Sequence, residues 1–149
     1  MKNMLLILVS IISLGGCTSV QLAPSNLDIE AKRFAAAADK SVVYVVQTGG
    51  LGSYRVFLQV MLNGQFVASL SGHTYSRLIL NPGKYRMLVS SPENQESIDF
   101  ESKAGEVIYL GAKSKPGFTQ MRVVPIQRLS TQEGQNAVLK SSMAALMDF

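Results

Sequence analysis

The chain has no tryptophan, one cysteine and one histidine, and each scarcity closes off a class of chemistry. A single cysteine, Cys17, permits no disulfide framework within the chain. A zinc site takes three or four ligands, and His73 has neither a second histidine nor a spare thiol to join it. Without tryptophan there is no indole platform for a sugar ring. No Gly-x-Ser-x-Gly elbow occurs. The run Gly49, Gly50, Leu51, Gly52 lacks the rest of a phosphate-binding or dinucleotide-binding pattern and reads as a connecting loop. The formal charge of +4 is mildly basic and gives no nucleic-acid footprint. No cofactor is implied.

Long apolar runs are equally scarce. The one that exists, residues 4–14, is too short to span a bilayer as a helix, which takes about 20 residues. Its setting explains it. Lys2 supplies a positive charge ahead of the run, and Leu14, Gly15, Gly16 and Cys17 close it. A charged start, a short apolar core and small residues at the end make a secretory signal. The closing four residues resemble the lipobox of bacterial lipoproteins. That resemblance implies cleavage between Gly16 and Cys17 and a diacylglycerol on the Cys17 thiol, which leaves no thiol for catalysis or metal binding. One acyl chain anchors reversibly, at about 0.8 kcal/mol per buried methylene, whereas two or three hold stably. Thr18 follows the cysteine in place of the Asp that resembles an inner-membrane retention mark, so the outer membrane is the expected location.

Taking the sixteen signal residues from the 149 leaves 133, and loss of Lys2 takes the charge from +4 to +3. That length makes one domain with a real core. Residues 17–24 read as a lipidated tether, whose seven residues after the cysteine reach at most about 24 Å. Residues 25–149 read as a single domain. Ser25 and Asp28 have the spacing of a capping box, and Leu27, Ala31, Phe34, Ala35 and Ala38 share one face at helical period. A second capping box, Ser130 with Glu133, starts a C-terminal helix whose apolar face includes Val138, Leu139, Met143, Ala145 and Leu146.

Between the helices the period is two. Strands are expected over residues 42–47, 55–62, 65–70, 74–80, 84–90, 97–101, 107–111 and 118–126. Asn63 and Gly64 separate two alternating runs and predict a type I′ hairpin, in which both residues take positive φ. Asn81, Pro82 and Gly83 mark another turn, as do Lys103, Ala104 and Gly105. Short strands at such regular spacing predict a mainly β chain: an antiparallel sandwich of about seven or eight strands with a short helix at each end.

A wider pattern then emerges. Ala31, Lys32, Arg33 and Phe34 precede the first strand, which runs from Val42 to Val46. Leu62, Asn63 and Gly64, the loop at Gly72, the run from Leu80 to Tyr85 and the run from Ala104 to Tyr109 follow in order. The stretch from Ala31 to Tyr109 resembles a family of small bacterial lipoproteins known as domain of unknown function 2846. It departs from that pattern at Gln47, where the first strand is expected to close on Arg. The resemblance implies a sandwich of the transthyretin or carboxypeptidase-regulatory kind and carries over no functional residue.

The remaining candidates for chemistry have plain alternatives. His73 lies in a probable-turn sequence, Ser71, Gly72, His73, Thr74, and reads as a structural or exposed residue. Asp99 and Glu101 are two apart on a strand and share a face at about 7 Å, a separation that suits a glycosidase pair. Glu93, Glu96 and Glu106 complete a cluster that reads as a solvated strand face. Basic residues lie at Arg77, Lys84, Arg86, Lys113, Lys115, Arg122 and Arg128. Lys84 and Arg86 share a strand face, and pairing with the acidic strand is favoured over attraction to an anionic surface.

These readings describe a non-enzymatic binding or scaffold module held in the cell envelope by its lipid. Its expected partners are the membrane and an envelope protein or cell-wall polymer. A component of an envelope machine such as type VI secretion is the alternative, and a small hydrolase a distant one. Residues 48–54 and the turn at residues 71–74 are the candidate contact surfaces. Cys17→Ser is expected to block incorporation of labelled palmitate and to leave unprocessed precursor. Labelling of that variant at the wild-type level would refute the anchor.

Overall fold

The computed structural model describes residues 19–49 and 55–147. The signal segment with Gly16 and Cys17, Thr18, and residues 50–54 of the glycine loop lie outside the described residues. The element order is α1 (Ser25–Ala31), β1 (Ser41–Thr48), β2 (Leu58–Leu62), β3 (Gln65–Leu70), β4 (Thr74–Leu80), β5 (Gly83–Ser90), β6 (Gln95–Ser102), β7 (Val107–Pro116), β8 (Met121–Val123), β9 (Gln127–Arg128), α2 (Thr131–Leu139) and β10 (Ser142–Met143). The fold is the expected β-sandwich, with two sheets and two helices.

One sheet runs β3-β2-β5-β6 and is antiparallel throughout. The other runs β10-β4-β1-β7-β8, with β9 also paired to β7. It departs from the expected antiparallel pattern in two places, because β1 pairs with β7 and β10 with β4 in parallel. The reason lies in β1. Val42 to Val46 is an unbroken apolar run rather than an alternating one, the mark of a strand buried on both faces. Every residue of β1 from Ser41 to Gln47 is buried.

Between the sheets, Val43 and Val45 meet Leu58, Val60, Met87 and Leu110. Burying each such side chain fully contributes about 1.5–3 kcal/mol. On the outer face, Val42, Tyr44 and Val46 form a second cluster with Tyr75, Tyr109 and Val138. Here aromatic rings take the place of a third sheet: Tyr44 stacks on Tyr109 at 5.2 Å, and Phe34 meets both edge-on at 5.8 and 6.2 Å.

The helices are shorter than their sequence patterns. The helical period of residues 25–38 stops at Ala31, whose carbonyl accepts a 2.7 Å hydrogen bond from the Tyr44 hydroxyl. Phe34 then takes φ of 54°, which turns its ring onto the tyrosines. The expected Ser25–Asp28 capping box does not form. Pro24 occupies the N-cap without a side-chain bond, and the Asp28 carboxylate is used elsewhere. The Ser130–Glu133 box does form. Its helix ends at Leu139, where Ser141 Oγ donates back to the Ala137 carbonyl and the chain leaves to pair with β4. The expected strand at residues 55–62 starts only at Leu58. Of the strand expected over residues 118–126 only Met121–Val123 forms, and Pro125 separates it from β9 beyond that range. Asn63 and Gly64 take φ of 49° and 83°, as a type I′ turn requires.

Gly134 sets how closely α2 lies on the sheet. It is buried, and a Cβ placed on it would meet Cβ and the ring of Tyr109. In an exposed helix Gly→Ala stabilises by about 1 kcal/mol. Here the sign reverses: Gly134→Ala is expected to lower unfolding stability by about 1–3 kcal/mol through overpacking, measured as a lower midpoint in urea.

Candidate functional site

Residues 21–23, expected as part of a free tether, are docked. Leu22 bridges to Ala144, the Ala145 amide donates to the Gln21 carbonyl at 2.8 Å, and the Ala23 amide donates to the Met143 carbonyl at 2.9 Å. The opposite edge of residues 142–144 is taken by the turn and strand that follow β3. The Ser142 amide donates to the His73 carbonyl at 2.9 Å and the Ala144 amide to that of Tyr75 at 2.7 Å. Residues 21–23 and 142–145 thus meet beside the turn at residues 71–74.

That turn is tightly specified. The Thr74 hydroxyl donates to the Ser71 carbonyl at 2.9 Å and accepts from the Ser71 amide at 2.8 Å. His73 takes φ of 61° with an exposed side chain. Thr48 and Gly49, the described part of one surface singled out in the sequence, meet His73 of the other here. A cavity of about 390 Å³ is lined by Thr48, Gly49 and His73 on one side and by Glu133, Asn136 and Lys140 of the α2 region on the other. Gln47 also borders it. Its carboxamide is buried, Nε2 lies 3.5 Å from Ser114 Oγ, and Oε1 has no hydrogen-bond partner among the described residues. Gln47, in place of the expected Arg, is therefore an incompletely satisfied polar group at the end of β1.

A second cavity, of about 660 Å³, joins the turn to the docked segment through Ser19, Leu22, Phe57 and His73. A third, of about 290 Å³, continues from Ser19 and Phe57 to Phe66 and Met147.

The acidic cluster is dispersed. Asp99 stands on the outer face of β6 and receives two bonds from the Arg86 guanidinium, at 2.6 and 2.8 Å. Arg86 therefore holds the Asp99 carboxyl below its usual range. A general acid needs the opposite shift, so this pair is a cross-strand salt bridge in a groove of about 640 Å³ over β5 and β6. Glu101 faces Lys84 in the same register. The pairing of cations with the acidic strand thus holds for Arg86, whereas Lys113, Lys115 and Arg122 lie on the β7–β8 hairpin of the other sheet. Glu93 accepts from the amides of Gln120 and Thr119, which hold its carboxyl low. Glu106 pairs with Arg128 at 2.6 Å. Among the described residues no three His, Cys, Asp or Glu side chains gather to hold a metal, and no helix is long and apolar enough to cross a membrane.

The carboxylate that organises this region is Asp28, which the sequence placed in a helix cap. Oδ1 accepts from the Tyr75 hydroxyl and the Met143 amide, both at 2.9 Å, and Oδ2 accepts from Lys32 at 2.7 Å. No local signal marks this role, since two of the partners are remote in sequence. The fold and the site together define a helix-covered β-sandwich in which residues 21–23 and 143–145 are sealed to each other. In comparison with known proteins, no family model, curated protein or solved structure matches the chain.

Burial alone would raise the Asp28 carboxyl, but the bonds from Lys32, Tyr75 and Met143 outweigh it and hold it below its ordinary value. A carboxyl depressed in the folded state contributes stability above its unfolded pKa, and that contribution is lost as pH falls through the folded value. Asp28→Ala is expected to cost about 3 kcal/mol at neutral pH. The gap between variant and wild type should narrow as pH falls below the carboxylate range, read from urea unfolding at neutral and acidic pH. A gap independent of pH would refute the role assigned to the charge.

Proposed function

We propose that the chain is a lipid-anchored protein of the bacterial envelope, a member of the lipoprotein family its motifs resemble, and that it acts as a non-enzymatic binding or scaffold module. One observation carries the anchor: Leu14, Gly15, Gly16 and Cys17 at the end of an eleven-residue apolar run behind Lys2. Thr18 directs the anchored protein to the outer membrane. The cleavage site lies between Gly16 and Cys17.

The state of the titratable groups supports a recognition role. Asp28, Glu93, Asp99 and Glu106 are each committed to a cation or to backbone amides that the fold needs. The Thr74 hydroxyl, the nearest to His73 in sequence, is used on both sides by Ser71. The end of the sandwich where Thr48, Gly49, His73 and the end of α2 surround one cavity is the candidate contact surface. Loops fixed on a scaffold are where recognition concentrates, and an envelope protein or a cell-wall polymer would be met there.

Complementation of a deletion strain with a scorable phenotype tests the reading. His73→Ala, and Asp99→Asn together with Glu101→Gln, should each restore function, whereas Cys17→Ser should not. Loss of function in His73→Ala, with the protein still folded and anchored, would return the hydrolase reading. Pulldown of the membrane-extracted protein should recover a partner that the unanchored chain meets less often.

A further inference from the structure

The docked N-terminal segment lies against a run of apolar side chains that the sandwich leaves uncovered. Leu22, Phe66 and Met147 are 53%, 37% and 52% exposed. The cavities at their feet are continuous, since Ser19, Val20, Gln21 and Phe57 border both. The Met147 amide donates to the Val67 carbonyl at 3.0 Å, so the C-terminal segment is fixed along β3 and holds Met147 in place. Ser19 is two residues from Cys17. Two extended residues span at most about 7 Å. Cys17 therefore lies within about that distance of Ser19, which borders both cavities.

We infer that the patch formed by Leu22, Phe57, Phe66 and Met147 is a membrane-contact face, which lays the β3 side of the sandwich on the lipid surface. The inference rests on the lipid anchor proposed above and adds an orientation to it. Apolar side chains beside an acyl anchor bury in the headgroup and acyl boundary, at a depth of about 5–10 Å, and supply a second hold beyond the acyl chains. The rest of the geometry follows. In the sheet order β10-β4-β1-β7-β8, the docked segment and the β7–β8 hairpin stand at opposite edges. Phe118, 97% exposed, stands on that hairpin, at the edge away from the docked segment.

The absence of tryptophan makes the test direct. Phe66→Trp, Met147→Trp and Phe118→Trp are each introduced into the full chain, and the processed protein is reconstituted into phosphatidylethanolamine–phosphatidylglycerol vesicles with brominated acyl chains. Trp at positions 66 and 147 should shift to the blue and lose about half its emission relative to unbrominated vesicles, while Trp at position 118 should be unchanged. Acylated protein whose Trp at 66 and 147 stays unquenched overturns the contact face and leaves the anchor standing. A blue shift without bromine quenching, together with a doubled mass in detergent, assigns the patch to a second copy and likewise overturns it. Absence of acyl mass on Cys17 removes the anchor and the face together. Hydrogen exchange of the unsubstituted protein reads the same surface without a variant: vesicles should slow residues 19–23 and 66–70 relative to detergent, and equal rates would contradict the face.

Discussion

A central strand buried on both sides cannot be satisfied by one partner sheet. β1 carries Val43 and Val45 into the space between the sheets and Val42, Tyr44 and Val46 out of it. The outer three need a cover of their own, and most of what is unusual in the molecule supplies it. Tyr44, Tyr75 and Tyr109 build a layer of rings, and Phe34 abandons the helix to join it. Gly134 lets α2 lie directly on Tyr109. Buried tyrosines bring hydroxyls with them, and these need partners in an apolar setting. The Tyr44 hydroxyl takes the Ala31 carbonyl and that of Tyr75 takes Asp28. The demand for apolar cover thus fixes where the first helix stops and where a carboxylate is kept charged.

Features set by neighbours in sequence were legible in the sequence. The Asn63–Gly64 turn, the Ser130–Glu133 box and the alternation of β5 each depend on residues a few positions apart, and each forms as read. Features set across the fold were not. The apolar period of residues 25–38 is real, but Phe34 gains more from two tyrosine rings than from another helical turn. Met143, Ala145 and Leu146 sit at helical spacing after Val138, yet an open edge on β4 and the arriving residues 21–23 offer residues 142–145 backbone partners on both sides. Parallel pairing of β1 with β7 has no local sign beyond the two-faced burial of β1.

The site divides in the same way. Leu14, Gly15, Gly16 and Cys17 are contiguous, so their resemblance to a lipobox stands out in the sequence. The cavity between Thr48 and His73 joins two loops about 25 residues apart and is closed by a helix from the end of the chain. The charged residues bear out the plainer reading for an electrostatic reason. Asp99 and Glu101 share a face as their spacing demands, but a catalytic pair is distinguished from a solvated one by its surroundings, and Arg86 stands directly opposite Asp99. Gln47 is the converse case, a departure from a pattern that proves to be a buried polar group with one atom unanswered.

The seam between residues 21–23 and 143–145 has a consequence in time. Loop-closure entropy makes pairings between distant segments the last to be repaid during folding, and this seam joins the two most distant segments described. A growing chain offers its beginning first and its end last. Residues 21–23 therefore wait unpaired while the sheets assemble, until residues 142–147 arrive. Among the described residues, those made first are thus among the last to be placed.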